Sequence, residues 1–289
     1  MTEGTIVRAM SGTYTVRTGA GTLVCKPRGK FRLDGVTPLV GDRVLLNGAT
    51  VWELLPRLNV FARPPVANVE LIALLASRAI PVTDPYVLDL MIANAEHKGC
   101  AIVVIVTKID LEPADELYEV YTRAGFDVVC VSAVTGTGLA ELRLAIDGKL
   151  TVFAGDSGVG KSSVLNALSE LNLAVGSVSR KLGRGRHTTR HTELFELPAL
   201  DSGKPTYVID TAGFSKFQVD GLTPDEVADA FRELERFSGQ CRFADCKHVH
   251  EPGCAVTDAV ERGEIPRSRH ASYSRMLEAA QFRQSHKYD

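Results

Sequence analysis

The residues best suited to chemistry form a glycine-rich octapeptide, GDSGVGKS at residues 155–162. It follows an apolar run and precedes a helical pattern, as a phosphate-binding loop (P-loop) requires. Backbone N–H groups in such a loop wrap the phosphates, a lysine pairs with the β and γ oxygens, and a serine holds Mg²⁺. A glycine-rich turn without a ligand is the alternative. The predicted nucleotide contacts are Gly155, Asp156, Ser157, Gly158, Val159, Gly160, Lys161, Ser162 and Ser163. Lys161 is also expected to be catalytic, and Ser162 to bind Mg²⁺.

A second motif, TKID, ends the apolar run before it and is suited to reading a base. The Asp110 carboxylate can accept the N1–H and 2-amino protons of guanine, a pair that adenine lacks. Lys108 can lay its stem over the base plane, and Ser132-Ala133 after the next apolar run can present a backbone N–H to guanine O6. Thr107 replaces the usual Asn, so weaker loop-tethering contacts are expected. TKID alone also fits a solvated strand end, but together with the P-loop it predicts guanine binding.

A DTAG motif follows the P-loop by about 50 residues, the separation expected of a second GTPase switch. Asp210 would bind Mg²⁺ through water, and the Gly213 N–H would meet the γ-phosphate. The motif order is therefore guanine loop, P-loop and switches, which is a circular permutation of the usual order. Permutation connects the second switch directly to the C-terminal segment, so hydrolysis could reorient that segment.

A basic, glycine-containing run, RKLGRGRHTTR at residues 180–190, occupies the place of the first switch. We expect Thr189 to contact Mg²⁺ and to be one of the catalytic residues, with Thr188 as the second choice. The basic residues either form a solvated loop or contact RNA phosphates and become ordered when GTP or the partner binds.

Three cysteines and a histidine cluster near the C-terminus: Cys241, Cys246, His248 and Cys254. Their spacing allows a compact loop to fold around one tetrahedral Zn²⁺. Because a Cys₃His set leaves no open position, the metal is expected to be structural, one per chain. His250 and His270 are lesser ligand candidates, and unrelated buried thiols are the alternative. The remaining cysteines, Cys25, Cys100 and Cys130, lie in apolar runs and are predicted to be buried thiols.

The elements that must position these groups fall into three predicted domains, residues 1–62, 63–218 and 219–289. The first alternates apolar and polar residues in five short runs, which predicts an all-β barrel of the oligonucleotide-binding (OB) type. Residues 1–60 carry 8 Lys and Arg against 4 Asp and Glu, a net +4. This excess suits RNA binding, although other five-stranded barrels share the pattern.

The second predicted domain alternates apolar strands with helical stretches, including a helix over residues 86–98, which indicates an α/β fold with a mostly parallel sheet. In such a sheet, ligands bind where strands end. The third is helical, with one helix predicted over residues 224–237, N-capped by Thr223, and another over residues 268–284. The fold class is therefore multidomain: a barrel, a central α/β GTPase domain and a helical zinc-binding domain.

Composition limits the functions that remain. The 289 residues carry a formal net charge of −2, so the chain is not a polycation that binds nucleic acid by charge alone. No run approaches the roughly 18 apolar residues of a membrane helix, and the first residues lack a signal-peptide pattern. We therefore expect a cytoplasmic protein without a membrane partner.

With these motifs in order, the chain resembles the ribosome small-subunit-dependent GTPase A family, also called RsgA or YjeQ. The resemblance covers almost the whole length, through VGDRV, TKID, SAVTG, GDSGVGKSS, GRGRHTT, DTAGF and CRFADCKHVHEPGCAV. It implies an OB-type barrel, a permuted GTPase domain and a zinc-binding helical domain. It also implies an enzyme that hydrolyses GTP to GDP, binds the 30S ribosomal subunit and its rRNA, is activated by it and acts late in its assembly.

One departure from common GTPases affects the expected mechanism. Phe214 follows DTAG where many GTPases place a water-orienting Gln. The family resemblance suggests His187 as the replacement catalytic residue; a solvated switch residue is the alternative. Because Gly158 stands where potassium-activated relatives have Asn, potassium activation is not expected.

Two other functions compete with this interpretation. An RNA-binding assembly scaffold that uses its nucleotide pocket as a timer would show negligible intrinsic turnover. An ATP-dependent kinase would share the P-loop but is opposed by TKID and the Ser132-Ala133 pair. GTP turnover with and without 30S subunits separates scaffold from enzyme. A monomer is expected.

Overall fold

A computed structural model describes residues 1–62, 65–174, 193–198, 200–210 and 222–286. The side chains of residues 170–174 and of Asp210 are not described. Contacts between Cα atoms divide the chain into two compact units. The first contains residues 1–72, 139–154 and 161–215, and the second contains residues 73–138, 155–160 and 216–289. Within the described ranges, no helix has both the length and the apolar character needed to cross a membrane.

The N-terminal residues form a closed five-stranded barrel in the order β1-β2-β3-β5-β4, which confirms the barrel prediction. The elements are β1 (Thr2–Met10), β2 (Thr13–Thr18), β3 (Gly21–Pro27), α1 (Gly29–Leu33), β4 (Arg43–Asn47) and β5 (Thr50–Leu54). Alternate residues point inward, and Ile6, Val16, Val44 and Val51 are fully buried. Because these aliphatic side chains pack against each other across a closed sheet, the barrel has its own core.

A buried ion pair fixes the chain where it leaves the barrel. Arg57 donates from Nε to Asp42 Oδ1 and from Nη2 to Asp42 Oδ2, each at 2.7 Å. Asp42 is buried and also accepts the Leu39 backbone N–H at 2.7 Å. A two-stranded hairpin follows, formed by β6 (Val60–Ala62) and β7 (Pro65–Ala67).

The central region forms a six-stranded sheet in the order β10-β9-β8-β11-β13-β12. Its strands are β8 (Leu71–Ser77), β9 (Ala101–Thr107), β10 (Asp127–Val131), β11 (Leu150–Ala154), β12 (Phe195–Leu197) and β13 (Thr206–Asp210). The helices between them are α2 (Pro85–His97), α3 (Asp115–Arg123), α4 (Leu139–Ala145) and α5 (Lys161–Ala174). The pairs β10–β9 and β11–β13 are parallel, which confirms the α/β class, and β12 runs antiparallel to β13.

In the C-terminal segment, the described residues 222–286 form four helices: α6 (Pro224–Asp229), α7 (Arg232–Ser238), α8 (Ala255–Glu261) and α9 (Arg267–Ser285). The single helix predicted over residues 224–237 is wrong, because Phe231 adopts φ −113° and ψ 78° between α6 and α7. Its buried ring packs edge-on against Tyr273 of α9 at 5.3 Å between centroids. The break therefore turns an aromatic side chain into the core. The predicted N-cap is confirmed, since Thr223 caps α6 in a capping box with Glu226.

A buried ionic hub joins α9 to three other helices. The Arg269 guanidinium donates to Glu233 Oε1 of α7 at 2.6 Å and to Asp89 Oδ1 of α2 at 2.8 Å. Tyr121 of α3 donates its hydroxyl to the same Asp89 oxygen at 2.9 Å. All three charged side chains are at most 1% exposed. The hub fixes the C-terminal helices on the two helices that flank β9.

Candidate nucleotide and metal sites

The P-loop follows a fully buried strand and turns sharply into a helix. β11 ends at Ala154 and α5 begins at Lys161. Between them, Gly155, Gly158 and Gly160 have backbone φ values of +145°, +80° and +109°. Residues other than glycine rarely adopt φ values in this range. A Cβ at Gly155 would lie 2.6 Å from the Leu75 carbonyl oxygen. The loop conformation therefore depends on glycine at these positions.

The polar side chains of the loop and of the first residues of α5 are exposed or half-buried. Ser157, Ser162 and Ser163 are exposed, whereas Asp156 and Lys161 are half-buried. Val159 is fully buried and packs the middle of the loop inward. The hydroxyls predicted to meet phosphate and Mg²⁺ therefore remain accessible at the start of α5.

Thr107 connects the loop that is predicted to read the base to the P-loop. Its buried hydroxyl lies 2.6 Å from the Val159 carbonyl oxygen and 3.2 Å from the Ala76 carbonyl oxygen. A hydroxyl has one proton and donates to one acceptor at a time, and the shorter distance favours Val159. Although Thr107 replaces the usual Asn, it therefore still makes a direct contact to the P-loop.

Lys108 and Asp110 occupy a turn beyond β9. Lys108 has φ +59°, and its Nζ donates to the Ile80 carbonyl oxygen at 2.8 Å. Asp110 is exposed. The left-handed residue turns the chain abruptly at the strand end, which leaves the Asp110 carboxylate accessible to a base.

The loop containing Ser132 and Ala133 lies at the same sheet edge. In the parallel β9–β10 pair, Val131 is in register with Thr107, so both loops begin at one level. The buried Ser132 hydroxyl accepts the backbone N–H groups of Val134 and Thr135 at 3.3 and 3.1 Å, which fixes this turn. The sheet therefore brings together the two loops that the sequence predicts to read guanine.

Most residues predicted for the two switches lie outside the described residues. These are Thr188, Thr189, His187, Gly213, Phe214 and the side chain of Asp210. The backbone of Asp210 is described in β13, in register with Phe153 of β11. This register puts Asp210 beside the strand that leads into the P-loop.

The Cys₃His cluster is assembled in the C-terminal segment. The ligand atoms of Cys241, Cys246, His248 and Cys254 all lie within 4.8 Å of one another. Cys241 Sγ and Cys254 Sγ lie 3.4 and 3.6 Å from His248 Nδ1. Three thiols and one imidazole converging at this scale match a tetrahedral zinc site, so the cluster could hold Zn²⁺.

Electrostatics at the cluster agree with a metal-binding role. Burial lowers the pKa of His248, which keeps its imidazole neutral and able to coordinate. Burial raises the pKa of the Cys246 thiol to about 12. A bound cation would favour the thiolate form of these side chains, which is the form that coordinates zinc.

Other polar residues support the loop that carries His248. His270 Nε2 lies 2.7 Å from the His248 carbonyl oxygen, so it contacts the loop backbone rather than joining the four ligand atoms. The Glu251 carboxylate accepts the backbone N–H groups of Lys247, Val249 and His250 at 2.8, 3.0 and 3.1 Å. Although burial opposes this, these donors lower the pKa of Glu251 to about 2. Glu251 was not predicted from the sequence, where its position three residues after His248 is a weak signal.

The three remaining cysteines follow the sequence prediction in part. Cys25 and Cys100 are buried, as predicted. Cys130 is half-buried, so the prediction was wrong there; it lies on β10, which is the terminal strand of the sheet among the residues that the structure describes.

Comparisons with known proteins place these features in a family. The family model described as RsgA GTPase matches residues 54–220, and the one described as RsgA N-terminal domain matches residues 3–50. The small ribosomal subunit biogenesis GTPase RsgA of Caldanaerobacter subterraneus subsp. tengcongensis is 43% identical, with 99% of this chain and 98% of that protein covered. The protein of that name from Geobacillus kaustophilus is 41% identical, with 94% and 95% covered.

Solved structures agree. YjeQ from Thermotoga maritima has a TM-score of 0.81 and 35% identity, covering 97% of this chain and 98% of that chain. YloQ, described as a circularly permuted GTPase, has a TM-score of 0.79 and 32% identity, covering 98% and 96%. Fold and site thus define a circularly permuted P-loop GTPase with an N-terminal OB-type barrel, an enzyme that hydrolyses GTP. Within that class, the chain belongs to the RsgA GTPase family.

Proposed function

We propose that this GTPase acts in assembly of the small ribosomal subunit, hydrolysing GTP to GDP and phosphate while bound to it. Its relatives are named small ribosomal subunit biogenesis GTPases and align over nearly the whole chain. The structural observation that carries the nucleotide assignment is the Thr107–Val159 contact, which joins a base-reading loop to a P-loop in permuted order.

Guanine and phosphate would be held at opposite ends of this linked pair of loops. Asp110 accepts the base N1–H and amino protons, Lys108 covers the base plane, and the Ala133 loop reads O6. P-loop amides surround the phosphates, and Lys161 stabilises the charge that develops on the β and γ oxygens. Mg²⁺ would neutralise phosphate charge and be held by Ser162, Thr189 and Asp210, with Gly213 at the γ-phosphate.

Activation by the 30S subunit would act on the first switch. Slow turnover of the isolated protein is expected because Phe214 cannot orient water. Binding of rRNA to the barrel and to the basic run at residues 180–190 would order that run and bring His187 toward the γ-phosphate. The expected increase in kcat is on the order of 10² or more, if positioning is the missing factor.

Steady-state phosphate release with and without 30S subunits tests this function. The wild type should be stimulated, and Lys161→Ala should abolish turnover in both conditions. His187→Ala should retain GTP and 30S binding but lose most stimulation, because only a transition-state contact is removed. Absence of stimulation in the wild type would favour the scaffold, and full stimulation of His187→Ala would refute its catalytic role.

Base recognition has a separate test. Asp110→Asn should weaken GTP binding by several powers of ten and favour xanthosine triphosphate, whose C2 carbonyl can accept from the new amide. Asp115→Asn, an exposed carboxylate five residues further along, is the matched control and should leave both affinities unchanged. Equal GTP affinity in Asp110→Asn and wild type would remove Asp110 from the site.

The domain organisation and remaining partners complete the proposal. We assign residues 1–62 to RNA binding, 63–218 to the GTPase domain and 219–289 to the zinc-binding domain. One structural Zn²⁺ is assigned to the Cys₃His cluster. Cytoplasmic location follows from a role on the ribosome, and a monomer is the expected state.

A further inference from the structure

The short segment that follows the first switch is attached to the barrel. Leu194 donates its backbone N–H to the Val7 carbonyl oxygen of β1 at 2.8 Å, and Glu193 forms an antiparallel bridge with Arg8. Leu194 is buried. The segment therefore continues the hydrogen bonding of the barrel rather than crossing its surface freely.

A side-chain pair reinforces this attachment from the neighbouring strand. Arg17 of β2 lies with Nε 2.9 Å from Glu196 Oε2, and its Nη2 donates to Glu196 Oε1 at 3.3 Å. Two parallel contacts fix the relative orientation of the groups, which a single contact between flexible side chains does not. Both side chains are about two-fifths exposed, so the pair adds little net stability. The pair therefore matters for the orientation of β2 and β12 rather than for stability.

The same segment is attached on its other edge to the strand that leads to the second switch. β12 pairs antiparallel with β13, and Glu196 is in register with Tyr207. β13 ends at Asp210. In the sequence, Glu193 comes four residues after Thr189. The barrel is thus connected through β12 to the chain next to both predicted switches.

We infer that the Arg17–Glu196 pair positions the chain that follows the first switch. Through this pair, binding of rRNA to the barrel would affect that switch. The inference rests on the proposed activation by the 30S subunit. When the barrel is held by rRNA, β1 and β2 hold β12, and the last residues of the switch start from a fixed point. A fixed attachment point lowers the conformational entropy that is lost when the reactive arrangement forms.

Charge exchange tests this inference without removing either strand. Arg17→Glu and Glu196→Arg each place like charges together, whereas the double variant restores an opposite pair. The matched control is Arg43–Glu3, an exposed pair with a 2.5 Å contact in the same barrel that does not involve β12. Each variant is assayed as full-length protein for phosphate release at saturating 30S subunits, with affinity for 30S and KM for GTP measured separately.

Each single variant should lose stimulated kcat on the order of fivefold, a size appropriate to a weak surface pair. Basal turnover, KM for GTP and the melting temperature should not change. The double variant should recover stimulation although Glu remains at position 17, which separates positioning by the pair from direct contact of Arg17 with RNA. Arg43→Glu should keep full stimulation.

Two results would overturn the inference: full stimulation of both single variants, or a loss that the double variant fails to restore. The wild-type arm distinguishes failure of the proposed function. If 30S subunits do not stimulate the wild type, the activation itself is absent and the pair has nothing to transmit.

Discussion

The N-terminal barrel and the C-terminal helical segment differ in what holds them together. The barrel closes its own sheet around aliphatic side chains such as Ile6 and Val51. In its Asp42–Arg57 ion pair, Asp42 is buried but the Arg57 side chain is 25% exposed, so solvent reaches one side of the pair. The stability of the barrel therefore comes mainly from apolar packing.

Three helices of the C-terminal segment, α6, α7 and α8, have only six or seven residues each, and the segment depends on contributions from elsewhere. Its core includes Ala93 of α2, and partly buried Cys241 and Cys246 pack against it. Its ionic hub is completely buried around Arg269. We therefore expect the barrel to keep its structure alone, whereas the segment packs against α2 and is expected to depend on a bound metal as well. The chain has a single tryptophan, Trp52 of β5, so its fluorescence reports on the barrel, while the helical circular dichroism signal includes the segment.

Metal removal should give the largest difference between the two regions. Purified protein is expected to contain about one Zn²⁺ per chain, and chelation should destabilise the segment by about 5 kcal/mol or more, because metal binding and folding are coupled in small sites. Helical signal and hydrogen-exchange protection in α8 and α9 should fall, with little change at Trp52 and in nucleotide binding.

Cys246→Ser should reproduce the effect of chelation, and Cys130→Ser, which changes a half-buried thiol outside the cluster, should keep the metal. Elemental analysis that finds no metal in protein prepared without chelator would contradict the site. A simultaneous loss of Trp52 signal and nucleotide binding would contradict the independence of the barrel and the GTPase domain from the segment.

Arg269→Met should have the next largest effect. The variant leaves Asp89 and Glu233 buried without their cation, which is expected to cost about 3–5 kcal/mol. Arg262→Met, which breaks the exposed pair with Glu264 in the same segment, should cost less than about 1 kcal/mol. Urea unfolding followed by helical circular dichroism measures both, and equal midpoints for the two variants would show that the hub is not needed.

Arg57→Met should affect the barrel less than Arg269→Met affects the segment. Asp42 keeps the Leu39 N–H as a donor and water can approach where Arg57 was, so a loss of about 1–3 kcal/mol is expected. The Trp52 unfolding transition measures it, and Arg43→Met supplies an exposed control pair. A loss larger than that of Arg269→Met would reverse the proposed difference between the regions.

The sequence predicted best where a local pattern determines structure. The five barrel strands follow from alternation, the P-loop from its glycines, and the Cys₃His cluster from its spacing, because each depends on residues close together in the chain. The order of these local motifs along the chain then indicated the permutation. Thr223 was recognisable as an N-cap because Ser and Thr before a proline-led helix carry that signal.

The features it missed depend on contacts between distant residues. Asp89 and Arg269 are 180 positions apart, and Arg17 and Glu196 are 179 apart, so no local pattern connects them. The break between α6 and α7 arises because burial of Phe231 against Tyr273 outweighs the helical propensity of the surrounding residues. The tether between Thr107 and Val159 likewise required the fold, since Thr replaces the residue that usually makes it.

The smallest expected effect concerns the beginning of the C-terminal segment, where Thr223 Oγ1 accepts the Glu226 N–H at 3.3 Å and Glu226 Oε2 accepts the Thr223 N–H at 2.8 Å. Thr223→Ala should cost about 1 kcal/mol in the helical transition, whereas Thr223→Ser should be nearly neutral because it keeps the hydroxyl.

The Thr223 N–H lowers the pKa of Glu226 in the folded state. Its stabilising contribution is therefore present above the unfolded pKa of about 4.3 and is lost as the pH falls through the folded value. Glu226→Gln should accordingly be less stable than wild type at pH 7 and approach it in acid. A stability difference independent of pH would show that the carboxylate charge has no part in the cap, and a neutral Thr223→Ala would show that the segment is held by α2 and the metal without help from its first turn.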